Sequence, residues 1–512
     1  MPLSIVLWLP LAAVLLGALA PRSLTPRIAL LGSLATLGLS IYLIVDYTGS
    51  RGGLQHVTDI VWIKELGIHY KLGVDGLNVF LVGLATLLFA ATFVAANLRR
   101  WERRATFYFW IGLAESAVLG AFFAQDLALF VFFFDLMLIP FYFLTGQWGG
   151  PNRVPATIKL VIYTFVGSLL MLAAAIATGV LATPDGGSIS FALSDLQHHR
   201  LATGSQEWIF LFFAAAFLVK MPAFPLHGWM PDGYRAMPIE VLMVFSGVLS
   251  KVGAYGFLRI VLPLFPQASV HFQMLLLLIA LASILYGSAM AFTTTDTRLI
   301  AGYSSIAQMG FITLGIFSLR SDGAQGAVLQ MVNHGLVVAP FLFIVGLLAA
   351  RAGGSEDLRD MGGIAVRAPV LASLFLIVAF ATLAMPGSSN FMGEFLILLG
   401  VFHAKIVICV VAFTGVALAA VYMLRAYIRS MHNRVGPNVE SRELRLGDGL
   451  VLAPLVLVIL AIAVYPHFAL HRSQRSVVSS IAPARAVEAA NTVADLQRRG
   501  WTAYAPLTKG QP

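Results

Sequence analysis

The chain has 512 residues, of which 59% are hydrophobic and only 11% charged, with a mean hydropathy of +0.86. A water-soluble domain of this size does not carry so little charge, so the core is a helix bundle in lipid. The single cysteine, Cys409, excludes an internal disulfide and any four-cysteine iron–sulfur or zinc site, and the net charge of +9 is spread over basic residues in loops, which signals membrane topology and not nucleic-acid binding.

Apolar windows long enough to cross a bilayer, about 17–25 residues, fall near 3–20, 28–46, 75–97, 106–124, 127–146, 157–182, 207–227, 240–262, 272–294, 299–318, 323–350, 368–402, 406–428 and 448–466. They predict an all-α polytopic protein of about fourteen transmembrane helices, the twelfth window being long enough to hold an interrupted helix. Ala18-Leu19-Ala20 resembles a signal-peptidase site, but residues 1–7 hold no basic residue and Pro21 would follow the cut, so the first window is expected to stay as a helix. Basic residues such as Arg99, Arg100, Arg103, Arg104, Arg425, Arg429 and Arg434 crowd one set of alternate loops, about threefold over the other set, which places both termini on the outer face. Residues 1–470 form the predicted transmembrane domain. Residues 471–512 form a surface tail with an expected helix near 483–499 and no chemistry of its own.

The seventh window carries the most information. Lys220 ends an apolar run, and Pro222, Pro225 and Pro231 follow it, removing backbone N–H groups and freeing carbonyls that lipid cannot satisfy. An ammonium in mid-membrane costs roughly 2.5–3.5 kcal/mol on insertion scales, so a cation beside broken backbone reads as an ion-handling site. The twelfth window repeats the pattern, with Pro386, Gly387 and Gly393 breaking a span that holds Glu394. The two breaks lie five spans apart. An odd spacing inverts one unit relative to the other, so helices 4–8 (about 106–262) and helices 9–13 (about 272–430) are expected as two inverted five-helix repeats with broken helices 7 and 12.

Five ionisable residues lie inside these spans. Asp135 has Lys220 as its obvious partner, either as a static pair that fixes packing or as a switch: burial disfavours the charged ammonium and a nearby carboxylate favours it, so moving Asp135 could load and unload a proton. Lys251, among glycines, reads as a relay or as a lysine snorkelling to an interface. His334 can carry a proton near neutral pH or simply pack by hydrogen bonding. Glu394 reads as the outer exchange site or as a cap on the half-helix after Ser388, Ser389 and Asn390. His227 and Asp232 line a water path or satisfy freed backbone groups. Glu115 is a weaker candidate for coupling to a neighbouring subunit, and Tyr255, Ser304, Ser305 and Gln308 could hold relay waters or make ordinary polar packing. The sequence holds no Gly-rich nucleotide loop, no helical histidine pair at metal-ligand spacing and no catalytic-serine setting.

The stretches Phe-Phe-Asp-Leu-Met-Leu-Ile-Pro (133–140), Val-Lys-Met-Pro-Ala-Phe-Pro-Leu-His-Gly-Trp-Met-Pro-Asp (219–232), Lys-Val-Gly-Ala-Tyr-Gly-Phe-Leu-Arg (251–259), Tyr-Ser-Ser-Ile-Ala-Gln-Met-Gly-Phe (303–311) and Asn-Phe-Met-Gly-Glu-Phe-Leu-Ile-Leu (390–398) resemble the antiporter-like subunits of respiratory complex I. The resemblance covers nearly the whole chain. Lysine at the position of Glu394 is typical of the L and N types and of Mrp sodium/proton antiporters, so Glu394 sides with the M type. The resemblance implies a fourteen-helix, non-redox subunit in the membrane arm of NADH:quinone oxidoreductase, in a bacterial inner membrane. Proton translocation through Asp135, Lys220, Lys251, His334 and Glu394 is implied with it. No cofactor or metal is expected in this chain; flavin, iron–sulfur clusters and quinone would belong to partner subunits, and the partners would be L- and N-type subunits, small membrane subunits and lipid.

Two departures stand out from the resemblance. The fifth-helix acid is usually glutamate, and Asp135 is one methylene shorter. The loop after Asp232 usually reads Ala-His-Val-Glu-Ala-Pro, whereas here Gly-Tyr-Arg-Ala-Met-Pro removes a histidine and an acid from the inner end of the path. Rival readings are a Mrp-type cation/proton antiporter subunit, the membrane subunit of a hydrogenase or formate-linked complex, and a scaffold whose polar line is idle.

Overall fold

A computed structural model describes residues 2–498. Its helices are α1 (Leu3–Leu19), α2 (Thr25–Asp46), α3 (Val79–Asn97), α4 (Arg104–Phe123), α5 (Leu127–Trp148), α6 (Arg153–Leu181), α7 (Thr203–Lys220), α8 (Ile239–Leu264), α9 (Gln273–Thr293), α10 (Thr297–Phe317), α11 (Ser321–Arg351), α12 (Pro369–Thr382), α13 (Ser389–Ala404), α14 (Ile406–Met431), α15 (Leu446–Val464) and α16 (His467–Arg498). Among the described residues, eleven helices are long and apolar enough to cross a membrane; α1, α12 and α13 are shorter apolar helices. The chain is a helical, multi-pass membrane protein.

Helices in lipid are apolar all round, so apolar periodicity does not mark which face is inside; small and polar residues do. The centre of the bundle is therefore built from α8 and α10, both wholly buried, and α11, which carry Lys251, Ser304, Ser305, Gln308, Gln330, Asn333 and His334. The flank is α2, α6, α14 and α15, apolar on every face and largely uncovered.

Four crossings are irregular. Helix α5 turns at Met137, three residues before Pro140. Helix α7 stops at Lys220, and the proline-rich stretch after it runs in turns until a short helix forms at Met230–Ala236. Helices α12 and α13 are separated at 383–388, where Ala384 and Gly387 take positive φ. Helix α8 contains two π-turns, Phe245–Leu249 and Phe257–Val261, on either side of Lys251; such widenings of an α-helix are frequent at functional sites.

Two helix starts are alike. Asp126 caps α5 by accepting from Leu129 N at 3.1 Å and bridges antiparallel to Ala192; Asp296 caps α10 by accepting from Leu299 N at 3.0 Å and bridges antiparallel to Asp357. Capping of this kind satisfies backbone donors that the first turn leaves open.

The sequence did not announce a hairpin between α2 and α3. Strands β1 (Gln55–Ile63) and β2 (Ile68–Val74) pair antiparallel, with His69 at 2.7 Å and Lys71 at 3.3 Å from the Asp59 carboxylate. Burial alone would raise the Asp59 pKa, but these two partners hold it below its ordinary value. Helix α16 starts earlier than the helix expected at 483–499, buries Val477, Ile481 and Ala484, and lies across the same end of the bundle. There Ser480 Oγ donates to Leu258 O at 2.5 Å and Ser476 Oγ accepts from Gly76 N at 2.9 Å. Residue 499 and the rest of the expected tail lie outside the described residues.

Candidate functional site

Proline removes donors, and the freed groups find partners inside the protein. Behind the α7 break, Trp229 Nε1 donates to Val219 O at 3.0 Å, and Phe224 N donates to Ser283 Oγ at 3.0 Å. Lys220, held between them, is buried. Its ammonium lies 4.5 Å from the centroid of the Phe134 ring and 3.5 Å from Phe134 O. The Asp135 carboxylate, next in sequence, makes no ion pair with it within 4.0 Å, and Asp135 Oδ1 is buried without a hydrogen-bond partner. The expected Asp135/Lys220 partnership is therefore open in this structure. The shorter aspartate side chain and the turn at Met137 both work against closing it.

On its far side Lys220 borders a cavity of about 10 Å³, the size of a single water, lined also by Trp229, Tyr234, Phe245 and Ser250. Tyr234 Oη donates to Ser246 Oγ at 2.8 Å, and Ser246 Oγ lies 3.4 Å from Ser305 Oγ. Lys251 continues the line: Nζ is 2.9 Å from Ser246 O, 3.2 Å from Ser250 Oγ and 2.8 Å from His334 Nδ1. Wholly buried, Lys251 does not snorkel.

The Lys251–His334 contact depends on bare backbone. A Cβ on Gly335 would stand 2.6 Å from Gly247 O, so α8 and α11 meet main chain to main chain one residue from His334. Helices α11 and α13 repeat the device at Gly326, where a Cβ would lie 2.8 Å from Gly393 O.

Beyond His334, whose Nε2 has no partner, the polar groups close around Glu394. Its Oε1 accepts from Gln308 Nε2 at 2.7 Å and from Gln330 Nε2 at 3.4 Å, and Gln330 Nε2 also reaches Gln308 Oε1 at 2.8 Å. Glu394 bonds these carboxamides and no backbone N–H, so it does not cap α13. Lys220, Lys251, His334 and Glu394 are thus all buried: Lys251 and His334 touch, two carboxamides hold Glu394, and Lys220 borders the same small cavity as Ser250.

The remaining candidates lie elsewhere. Glu115 is buried between α2 and α4 and accepts from Ser33 Oγ at 3.2 Å. Asp232 pairs with Lys159 at 2.8 Å, both half exposed, while His227 stacks against Phe224 with Nδ1 unpartnered. Tyr255 Oη donates to Phe122 O at 3.0 Å and accepts from Arg259 Nε at 2.9 Å; Arg259 in turn pairs with Asp75 at 2.6 Å.

The buried Asp75–Arg259 pair and a second pair, buried Glu240 with half-exposed Arg99 at 2.9 Å, went unread in the sequence. The signal was present for Arg259 and Glu240, each an ionisable residue in an apolar run of the eighth window.

Residues 124–419 match the family described as NADH:quinone oxidoreductase/Mrp antiporter, TM. The NADH-quinone oxidoreductase subunit M of Rhodobacter capsulatus is 36% identical over 483 residues, covering 91% of this chain and 93% of that protein. A chain of respiratory complex I from Thermus thermophilus superposes with a TM-score of 0.85 at 32% identity, covering 93% of this chain and 99% of its own length. A chain of the Mrp complex from Dietzia shares the fold, with a TM-score of 0.81 at 19% identity over 95% of this chain and 99% of that one. With a matching family profile over more than half its length and near-full-length relatives above thirty percent identity, the chain belongs to the NADH:quinone oxidoreductase/Mrp antiporter transmembrane family, among its M-type subunits.

Proposed function

We propose that the chain is a proton-translocating subunit of the membrane arm of NADH:quinone oxidoreductase in a bacterial inner membrane, and that it carries no redox step itself. Electron transfer in partner subunits, with L- and N-type subunits as neighbours, drives it. Protons pass along Lys220, Lys251, His334 and Glu394, with Asp135 as the movable counter-charge at the first of them. The observation that carries this reading is the 2.8 Å contact between buried Lys251 and buried His334 in a membrane bundle. Ionisable groups are too costly in lipid to persist there without use.

Fourteen crossings follow if the eleven long helices are joined by α1, α7 and the α12–α13 pair as one interrupted crossing. The matched Asp126 and Asp296 caps, each bridged to a distant loop, support two inverted repeats, with α5 corresponding to α10 and α7 to α12–α13. The hairpin and α16 mark the outer face, where both termini lie; the arginine-rich loops at the other end face inward.

The test is NADH-driven acidification of inverted vesicles, with the native chain and Lys220→Met compared at matched assembly of the complex. Acidification per NADH oxidised should fall, or oxidation and pumping should fall together. If both hold while a sodium gradient moves protons only in native vesicles, the chain is an antiporter subunit instead; with no effect in either assay it is a scaffold.

A further inference from the structure

Glu240 opens α8 at the inner end and is 1% exposed. Its Oε1 pairs with Arg99 Nε at 2.9 Å, and its Oε2 is buried with no partner. Beside it is a cavity of about 290 Å³ between α3, α11 and the segment leading into α15. The other acids of that cavity are committed to structure: Glu443 accepts from Val370 N and Leu371 N at the start of α12, and Asp448 accepts from Arg445 N at the start of α15. Arg351 is equally committed, donating to the carbonyls of Leu347, Arg442 and Glu443. Among these acids, only Glu240 has a buried oxygen without a partner. The charged and titratable groups nearest it are Arg99 from the turn after α3, Arg298 from α10 and Tyr108 from α4, and Arg351, Arg442, Glu443, Arg445 and Asp448 line the same cavity. Arg99 is half exposed and also lines the adjoining cavity of about 370 Å³, so the cleft is continuous with the inner surface.

An unpartnered buried carboxylate oxygen costs folding free energy, more so when the group is charged. We infer that Glu240 is the proton intake of this chain: lining the inner cleft and keeping one buried oxygen free, its carboxylate receives protons from the cleft and delivers them toward Lys251. In each cycle the carboxylate takes a proton from a hydronium ion, becomes the neutral acid, releases that proton to water on the Lys251 side and returns to the carboxylate, with Arg99 balancing the charged form. Lys251 lies eleven residues further along α8, a rise of about 16 Å at 1.5 Å per residue. That is too far for one hop, so intake and relay are separate steps. Asp232, at the inner end of the α7 break, is by contrast tied to Lys159.

This inference rests on the relay proposed above, and the experiment separates the two. Acidification and NADH oxidation are measured in inverted vesicles from about pH 6 to about pH 9, a range spanning buried carboxyl titration, for the native complex, Glu240→Gln, Glu240→Asp, Ala350→Trp and Lys251→Met. Ala350 is exposed and lines both cavities, so tryptophan there narrows the cleft without entering the core. Glu240→Gln and Ala350→Trp should lose pumping several-fold at the alkaline end, where protons are scarce, and recover toward the acidic end, with Glu240→Asp near native throughout. If Glu240→Gln does not assemble, Ala350→Trp decides alone. Native behaviour of both at every pH while Lys251→Met is dead overturns the intake and leaves the relay standing. A loss equal at all pH values, shared by Glu240→Asp, makes Glu240 a structural ion pair and also overturns it. Normal pumping by Lys251→Met brings down relay and intake together.

Discussion

At the first break an ammonium sits beside a main-chain carbonyl at 3.5 Å, its carboxylate out of contact and a one-water cavity at its side. At the second break a carboxylate is gripped by two carboxamides at 2.7 and 3.4 Å. One charge has room and an absent partner, whereas the other is fixed by neutral groups that cannot change charge. Position can therefore switch Lys220, as Asp135 approaches or withdraws, while Glu394 can only change its proton. In the proposed relay the loose break is where the coupling signal acts, and the tight break is where the proton leaves.

Removing the proton while keeping the shape is the sharpest way to break that comparison. Glu394→Gln retains an oxygen to accept from Gln308, so the complex should assemble normally, yet pumping should fall by about tenfold or more, within the roughly 10²–10⁴-fold that a positioned proton donor usually supplies. Acidification of inverted vesicles measures it. Normal pumping would make the second break a packing device and leave only Lys220, Lys251 and His334 as the relay.

A second prediction addresses the joint between the two breaks. In Gly335→Ala the new methyl would meet Gly247 O and a Leu84 methyl, both at 2.6 Å. Separating α8 from α11 should cost roughly 1–3 kcal/mol as overpacking and lengthen the Lys251–His334 contact. Thermal stability of the detergent-solubilised complex and its pumping should fall together, by less than in Glu394→Gln for pumping. Unchanged pumping in a destabilised complex would mean that the 2.8 Å contact is not on the path.

Asp135→Glu tests the looseness itself. One more methylene lets the carboxylate reach toward Lys220, and in a buried pair the attraction gained on closing is largely offset by desolvation, so the net effect is small. The expected result is a small change in stability and pumping within about twofold of native; infrared difference spectra on NADH addition would then contain a glutamate carboxylate band in place of the aspartate band. A lost switch, with pumping abolished, would show that the distance seen here is needed for turnover.

The breaks were legible because proline and glycine are chemically loud in an apolar run, and Lys220, Lys251, His334 and Glu394 because ionisable groups are rare there. The open Asp135/Lys220 pair was not, since a pair named by sequence carries no distance and the turn at Met137 leaves only Pro140 as a trace. Glu240 and Arg259 were passed over although the same rule applied to them: each sits near a span end, where charged residues are ordinarily solvated. The hairpin at 55–74 alternates too weakly to read, with Val57, Ile60, Val61 and Trp62 exposed on its surface. The Asp126 and Asp296 caps became a pair only once their bridges to Ala192 and Asp357 were seen, because those partners lie more than sixty residues away in sequence, at positions that share no motif.

Those two bridges set up the smallest effect. The first cap meets an alanine; the second meets Asp357, whose carboxylate accepts three bonds from the Arg359 guanidinium, at 2.7 to 3.1 Å, one from Arg359 N at 2.8 Å and one from the Thr295 hydroxyl at 3.0 Å. The Arg359 hydrogen bonds, the largest influence, hold the Asp357 pKa down to about 2 from an ordinary 3.8. A lowered acid stabilises the fold above its ordinary pKa and gives that up as pH falls, here between about pH 4 and about pH 2. From pH 9 down to about pH 5 the tie therefore does not titrate. Hydrogen exchange of residues 356–360, corrected for intrinsic rate, should be flat over that range and rise in Asp357→Asn, with pumping unchanged because the loop is no part of the proposed relay. If Asp357→Asn exchanges as slowly as native, the backbone bridge alone secures this loop, as it does at Ala192, and the two halves are closer in construction than their side chains suggest.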